Sequence, residues 1–261
     1  MRRFEPCWLV PSLVLLMTAC GKPAEKAAET PAADTATPAA QPAAPAGPQG
    51  IITVLYQTPK DTAAFEKYYR EKHLPLVGAE QQDIGFTKAE LTKFVSSLDG
   101  KKPAFYRQAE LYFNSLDDAQ KAQGTAGFQK VKDDFKKFDT HGLIGMLAVE
   151  TGDRSDTPCP ALATVIYNTP KDTAAFEKYY AATHLPLVGT VQKEIGFVRA
   201  DLTRFVSRDT TPPAKYRQAE LCFNSMADLK KGIATPGFKQ IGDDFKNFVT
   251  NGLTGLIGEQ K

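Results

Sequence analysis

Two of the three histidines in this chain, His73 and His184, sit in the same local sequence. Each is followed by Leu-Pro-Leu-Val-Gly, and each comes shortly after an identical Thr-Pro-Lys-Asp-Thr-Ala-Ala-Phe-Glu-Lys-Tyr-Tyr. An imidazole titrates close to neutral pH, so it takes or gives a proton with little perturbation. Phe65, Tyr68, Tyr69 and His73 follow helical spacing. Pro75 is expected to end that helix, because the residue before a proline avoids the α region. His73 and His184 would then stand at helix C-termini, where the dipole favours a protonated ring by roughly 0.3–1 kcal/mol. Two roles remain open: a general acid or base, or a ring that caps carbonyls and packs against Pro75.

Glu110 and Glu220 fall in the middle of a second repeated run, Tyr-Arg-Gln-Ala-Glu-Leu. A carboxylate facing a closed interior is desolvated, its pKa rises, and it becomes a candidate general base. The competing role is an ion pair, with Lys88 or Lys93 in the first copy and Arg199 or Arg204 in the second. Tyr56 and Tyr167 end a strand beside Thr-Pro. Each either points a phenol into a cavity, as a substrate contact, or is buried with one hydrogen bond. Gln108 and Gln218 are weaker candidates for substrate contact. No close His or Cys pair and no Cys-x-x-Cys occurs, so no metal site is expected. No phosphate loop or dinucleotide fingerprint occurs either, which leaves the cofactor unknown. His141 has Asn251 as its counterpart and is assigned no role.

The elements that position these residues come in duplicate. The offset between copies is 111 at His73/His184 and 110 at Tyr106/Tyr216, so one residue is missing from the second copy in the intervening segment. The chain therefore divides into a first domain at 51–150, a polar linker at 151–161 and a second domain at 162–258. Within a copy, "IITVLYQ" reads as a strand, Asp61 as the cap of the helix that follows, and "GFTKAELTKFVSS" and "FYRQAELYFNS" as antiparallel strands. Ser115 with Asp118, and Ser225 with Asp228, mark the next helix start. Phe128, Val131, Phe135 and Phe138 form its core stripe, and "GLIGMLAVE" is a last strand.

The order β-α-β-β-α-β is the ferredoxin-like split βαβ unit, an α+β fold. Both helices would cover one sheet face. On strand three, Ala109, Leu111 and Phe113 are expected toward the helices, and Tyr106, Gln108, Glu110 and Tyr112 on the opposite, bare face. A second sheet of the same kind would cover that face. The expected architecture is two tandem ferredoxin-like repeats paired face to face as an intrachain α+β barrel: a monomer with a pseudo-dimeric barrel. Strands one and three are then antiparallel neighbours. Cys159, just before strand one of the second copy, would meet Cys222 near the end of its strand three. In an exported protein the two are expected to form a disulfide; a buried thiol plus a linker cysteine is the alternative.

"VLYQTPKDTAAFEKYYREKHLPLV" with "YRQAELYFNSLDDAQKAQGTAGFQKVKDDFKKF" resembles the EthD family, and the resemblance covers both repeats. It implies the dimeric α+β barrel fold and an oxidoreductase-type enzyme acting on a small hydrophobic or aromatic molecule in the barrel pocket, with acid–base chemistry by His and Glu. The superfamily behind it includes haem enzymes, for which a His would be the axial ligand. A non-catalytic ligand-binding or envelope structural role is the alternative.

The chain opens MRRFEPCWLVPSLVLLMTAC, a basic start followed by an apolar run too short for a permanent membrane span. Met-Thr-Ala-Cys resembles a bacterial lipobox, which makes residues 1–20 a lipoprotein signal with Cys20 as the lipidated residue. Gly21 after it favours the outer membrane, facing the periplasm, over the inner. Residues 21–50 are rich in Ala, Pro, Thr, Glu and Lys without an aromatic, and read as a tether. With 32 basic and 30 acidic residues, and no basic cluster, nucleic acid is not expected as a partner.

Overall fold

The computed structural model describes residues 48–138, 140–152, 157–207, 212–213 and 215–260. Cys20, the signal segment and all but the end of the tether lie outside the described residues.

The first repeat supplies strands β1 (Gly50–Tyr56), β2 (Lys88–Ser97), β3 (Arg107–Phe113) and β4 (Leu143–Glu150); the second supplies β5 (Ala161–Asn168), β6 (Arg199–Val206), β7 (Lys215–Phe223) and β8 (Leu253–Gln260). They close into one barrel in the order β1-β3-β2-β8-β5-β7-β6-β4. Each repeat contributes a four-stranded sheet whose outer strands pair with the other repeat, β4 with β6 and β2 with β8, all antiparallel. Closure leaves no strand edge unpaired, which an isolated repeat could not achieve.

Alternation along β1 sends Ile51, Thr53 and Leu55 into the barrel and Ile52, Val54 and Tyr56 toward the helices. Large side chains fill the interior, among them Ile51, Leu55, Phe94, Tyr112, Leu162 and Phe205, all buried. Ala109, Leu111 and Phe113 face the helices, as their spacing implies. Tyr106 does not join Tyr112 inside. It precedes β3, where the pleat no longer fixes its direction, and it turns toward the helices to donate to Glu66 (2.6 Å).

The first helix of each repeat departs from the expected boundary. In the first copy, α1 (Thr62–Tyr68), capped by Asp61 through the Ala63 and Ala64 amides, passes into a π-helical turn at Tyr69–His73 and on into α2 (Leu74–Ala79). Pro75 does not stop the helix. The wider turn, with Leu74 N–H reaching back to Tyr69 O, puts the proline in the first turn of the next segment, where a missing N–H is tolerated. A short α3 (Gln81–Ile84) follows and ends at Gly85 in the left-handed region (φ 85°), as glycine permits. The second copy repeats this with α6 (Thr173–Tyr179), a π turn at Tyr180–His184 and α7 (Leu185–Ile195).

The remaining helices are α4 (Leu116–Ala122) and α5 (Ala126–Asp134) in the first repeat, and α8 (Met226–Ile233) and α9 (Pro236–Asp244) in the second. Ser115 and Ser225 cap α4 and α8 through the Asp118 and Asp228 amides (3.1 Å each). Cys159 and Cys222 are joined by a disulfide with 5.4 Å between their Cα atoms. Among the described residues, no helix is long and apolar enough to cross a membrane.

Candidate functional site

The π-helical turn places His73 inside the protein, not at a helix end. It is 2 % exposed, and its ring stacks on Tyr69 and packs at a tilt against Phe135 and Phe138. Nδ1 lies 2.9 Å from Asp134 Oδ2, and Tyr68 Oη donates to Asp134 Oδ1 at 2.9 Å. Burial pushes the imidazole below its ordinary pKa, and the bond to Asp134 offsets this only in part. Burial works to raise the Asp134 carboxyl, but the bonds from His73 and Tyr68 outweigh it and hold it below the usual range. At neutral pH the ring is therefore neutral and the carboxylate ionised. Nδ1–H donates to Asp134, which leaves Nε2 as the unprotonated, basic nitrogen of the ring.

Above His73 lies a cavity of about 890 Å³ between the helix-facing side of the first sheet and its helices. Its walls are mostly aliphatic and aromatic, with the rings of Tyr56, Tyr69 and His73 on one side and Gln81, Gln123 and Lys132 among the polar contributors. Burial pushes the Tyr69 phenol up to about 12 and raises that of Tyr56 well above its ordinary value, so both remain neutral hydroxyls. Glu66 anchors the helix that carries His73. Arg107 grips it with two bonds (3.1 and 2.6 Å) and holds its pKa at about 2 against the opposing effect of burial.

The carboxylates expected to work with the histidines are on the opposite face of the sheet. Glu110 and Glu220 point into the barrel, where Gln218 Nε2 donates to Glu110 and Gln108 Nε2 to Glu220, both at 3.1 Å. Thr164 also donates to Glu220, and Tyr112 to Glu110. Of the basic residues considered as their partners, Lys88 pairs with Glu90, Lys93 with Glu66 and Arg199 with Asp201. His73 and Glu110 therefore do not form one acid–base site. Tyr56 and Tyr167 point toward the helices and not into the barrel, so Tyr56 joins His73 while Gln108 and Gln218 stay with the glutamates. Strand parity produces this separation. Asp134 is the member of this group that the sequence patterns did not single out. Its signal is an acidic residue between Val131 and Phe135 in an otherwise apolar stripe, repeated as Asp244.

The second repeat keeps the same group. His184 Nδ1 is 2.8 Å from Asp244 Oδ2, and Tyr179 donates to Asp244 at 2.8 Å. The cavity beside it measures only about 70 Å³. Among the described residues, no cluster of His, Cys, Asp and Glu suits a metal ion.

The sequence model of the EthD domain matches twice, at residues 57–141 and 168–252. A protein of Rhodococcus erythropolis, described as an uncharacterized 11.0 kDa protein in the thcB-thcC intergenic region, is 33% identical over 98 residues. That match takes in 38% of this chain and 92% of the relative, which is thus the length of one repeat. An EthD family protein of Bacillus halodurans is 26% identical, covering 41% of this chain and 99% of its own, with a TM-score of 0.35. An anthrone oxidase-like protein matches across both repeats, covering 82% of this chain and 92% of its own at 10% identity, with a TM-score of 0.53. That last likeness concerns the fold: its barrel corresponds to both repeats together.

Proposed function

Since the chain belongs to the EthD family, with the domain present twice in tandem, we propose that it binds a small hydrophobic or aromatic molecule in the first-repeat cavity and acts on it as an oxidoreductase-type enzyme. The observation that carries this reading is the His73 ring at the cavity wall, its Nδ1 fixed by Asp134, which makes Nε2 the basic nitrogen. A cavity of this size and apolar lining suits a ligand of two or three rings. Nε2 would remove a proton from an acidic O–H or C–H of the bound molecule, and Asp134 would stabilise the imidazolium formed. Oxidation of the resulting anion would need an external electron acceptor such as dioxygen. His73→Gln and Asp134→Asn should leave the fold intact and abolish turnover of an aromatic substrate found by screening. Retained turnover would remove His73 from the chemistry.

A second reading has its own support. The second repeat keeps His184, Asp244 and Tyr179 beside a cavity too small for such a ligand, so the group also serves to hold the helix to its neighbour. On that reading the protein binds a ligand without converting it. For location, we propose lipid attachment at Cys20 and placement at the outer membrane facing the periplasm, a reading supported by the Met-Thr-Ala-Cys sequence.

A further inference from the structure

The two repeats share their lining residues closely, yet their cavities differ about tenfold in volume. Leu98 takes up space on the second repeat's side. It sits in the β2–β3 turn of the first repeat, and that turn reaches across the β2–β8 seam to the second: Leu98 N–H donates to Gly255 O at 3.1 Å. Its side chain lies directly over Gly255, so close that a Cβ built there would meet Leu98 Cδ1 at 2.6 Å, and it lines the small cavity beside His184. The equivalent glycine of the first repeat, Gly145, lines the large cavity, and among the described residues nothing lies within 4 Å of a Cβ built on it.

The strand registers place the residue missing from the second repeat at the β2 bulge: Phe94 and Phe205 face the equivalent Gly258 and Ala148, but Ser96 faces Ile257 where Val206 faces Leu147. Leu98 therefore corresponds in sequence to Arg208, which lies outside the described residues.

We propose that the second repeat contains a latent binding site for the same class of apolar ligand, closed by Leu98 acting as a plug from the first repeat. The chain then binds ligand in the first repeat only, and removing the plug opens a second site beside His184. This rests on the reading that the first cavity binds apolar molecules. About 150 Å³ is enough for benzene in an apolar cavity, roughly twice what the second repeat offers. Leu98→Ala removes three carbons from the wall and enlarges it toward that size.

Benzene titrated into methyl-labelled protein should shift the Val77 and Ile144 resonances of the first cavity in wild type and leave Val188 and Ile241 of the second unmoved. In Leu98→Ala both sets should shift. Leu98→Met, which refills the space, should return to the wild-type pattern and shows whether any loss of fold in Leu98→Ala is general. A variant that folds but leaves Val188 and Ile241 unmoved overturns the plug, as does a wild type in which they already shift. Should Leu98→Ala fail to fold, Leu98→Val takes its place, and shifts at Val188 and Ile241 count for or against the plug in the same way. Silence at Val77 and Ile144 in wild type overturns the binding reading of the first cavity; the plug then stands or falls on Val188 and Ile241 alone.

Discussion

Glu110 and Gln218, from different repeats, meet across the inside of the barrel at 3.1 Å, and Glu220 and Gln108 mirror them at the same distance. These four side chains are at most 3 % exposed. Replacing Glu110 with Ala strands a buried amide, which costs about 1–3 kcal/mol. Urea denaturation of Glu110→Ala should show that loss, and Glu110→Ala/Gln218→Ala should lose less than the sum of the singles. Additive losses would mean that the two side chains do not interact.

The same geometry makes each repeat depend on the other. The full barrel should sediment as a monomer at micromolar concentration. Either repeat expressed by itself exposes an apolar inner face and two strand edges, and should self-associate. An obligate dimer of the whole chain would contradict closure within one chain.

The histidines set a pH dependence. The folded-state pKa values of His73 and His184 lie below their ordinary 6.5. As pH falls below about 6.5 the unfolded chain takes up protons that the folded rings resist, so stability declines until the folded pKa is reached. Asp134 and Asp244, lowered from 3.8, contribute stability that is present above that value and lost as pH falls through their folded pKa. The urea midpoint should therefore drop as pH falls below about 6.5, and His73→Gln/His184→Gln should flatten that part of the curve. An unchanged slope in the double variant would show that other groups set it.

The Cys159–Cys222 disulfide closes a loop with a sequence separation of 63. Cys159→Ser/Cys222→Ser should lose about 4 kcal/mol in the chain-entropy account. Intact mass after alkylation should show no labelling of this pair in the unreduced, folded protein. Labelling of both thiols would contradict the bond.

The repeat, the strand order and the helix caps are legible in the sequence, because alternation, capping pairs and an almost constant offset all agree. The site is less so. Both faces of every sheet are buried, one by helices and one by the opposite repeat, so hydrophobicity does not say which way Tyr56 or Glu110 points. Counting from Ile51 fixes the parity once one inward residue is known, and only the structure supplies that residue. Pro75 reads as a helix stop because the residue before a proline avoids the α region; here Leu74 stays helical, and the π-helical turn before it draws His73 into the interior. Leu98 does not stand out in the sequence, because its consequence depends on which repeat its turn crosses to.

Attachment at Cys20 is tested by fractionation. Cys20→Ser should leave the membrane fraction or remain as an unprocessed precursor. A variant found in that fraction at mature size would contradict lipidation.

The first-repeat cavity is held to present His73 Nε2 to an apolar ligand, and everything proposed for the site depends on it. Nitrogen-15 NMR of histidine-labelled protein, titrated with 2-naphthol, tests it most directly. Before ligand, His73 should give the pattern of a neutral ring protonated at Nδ1. On titration, its Nε2 resonance should move in a saturable way while that of His184 stays in place. A titration that leaves His73 Nε2 unmoved, or moves His184 equally, would contradict the account.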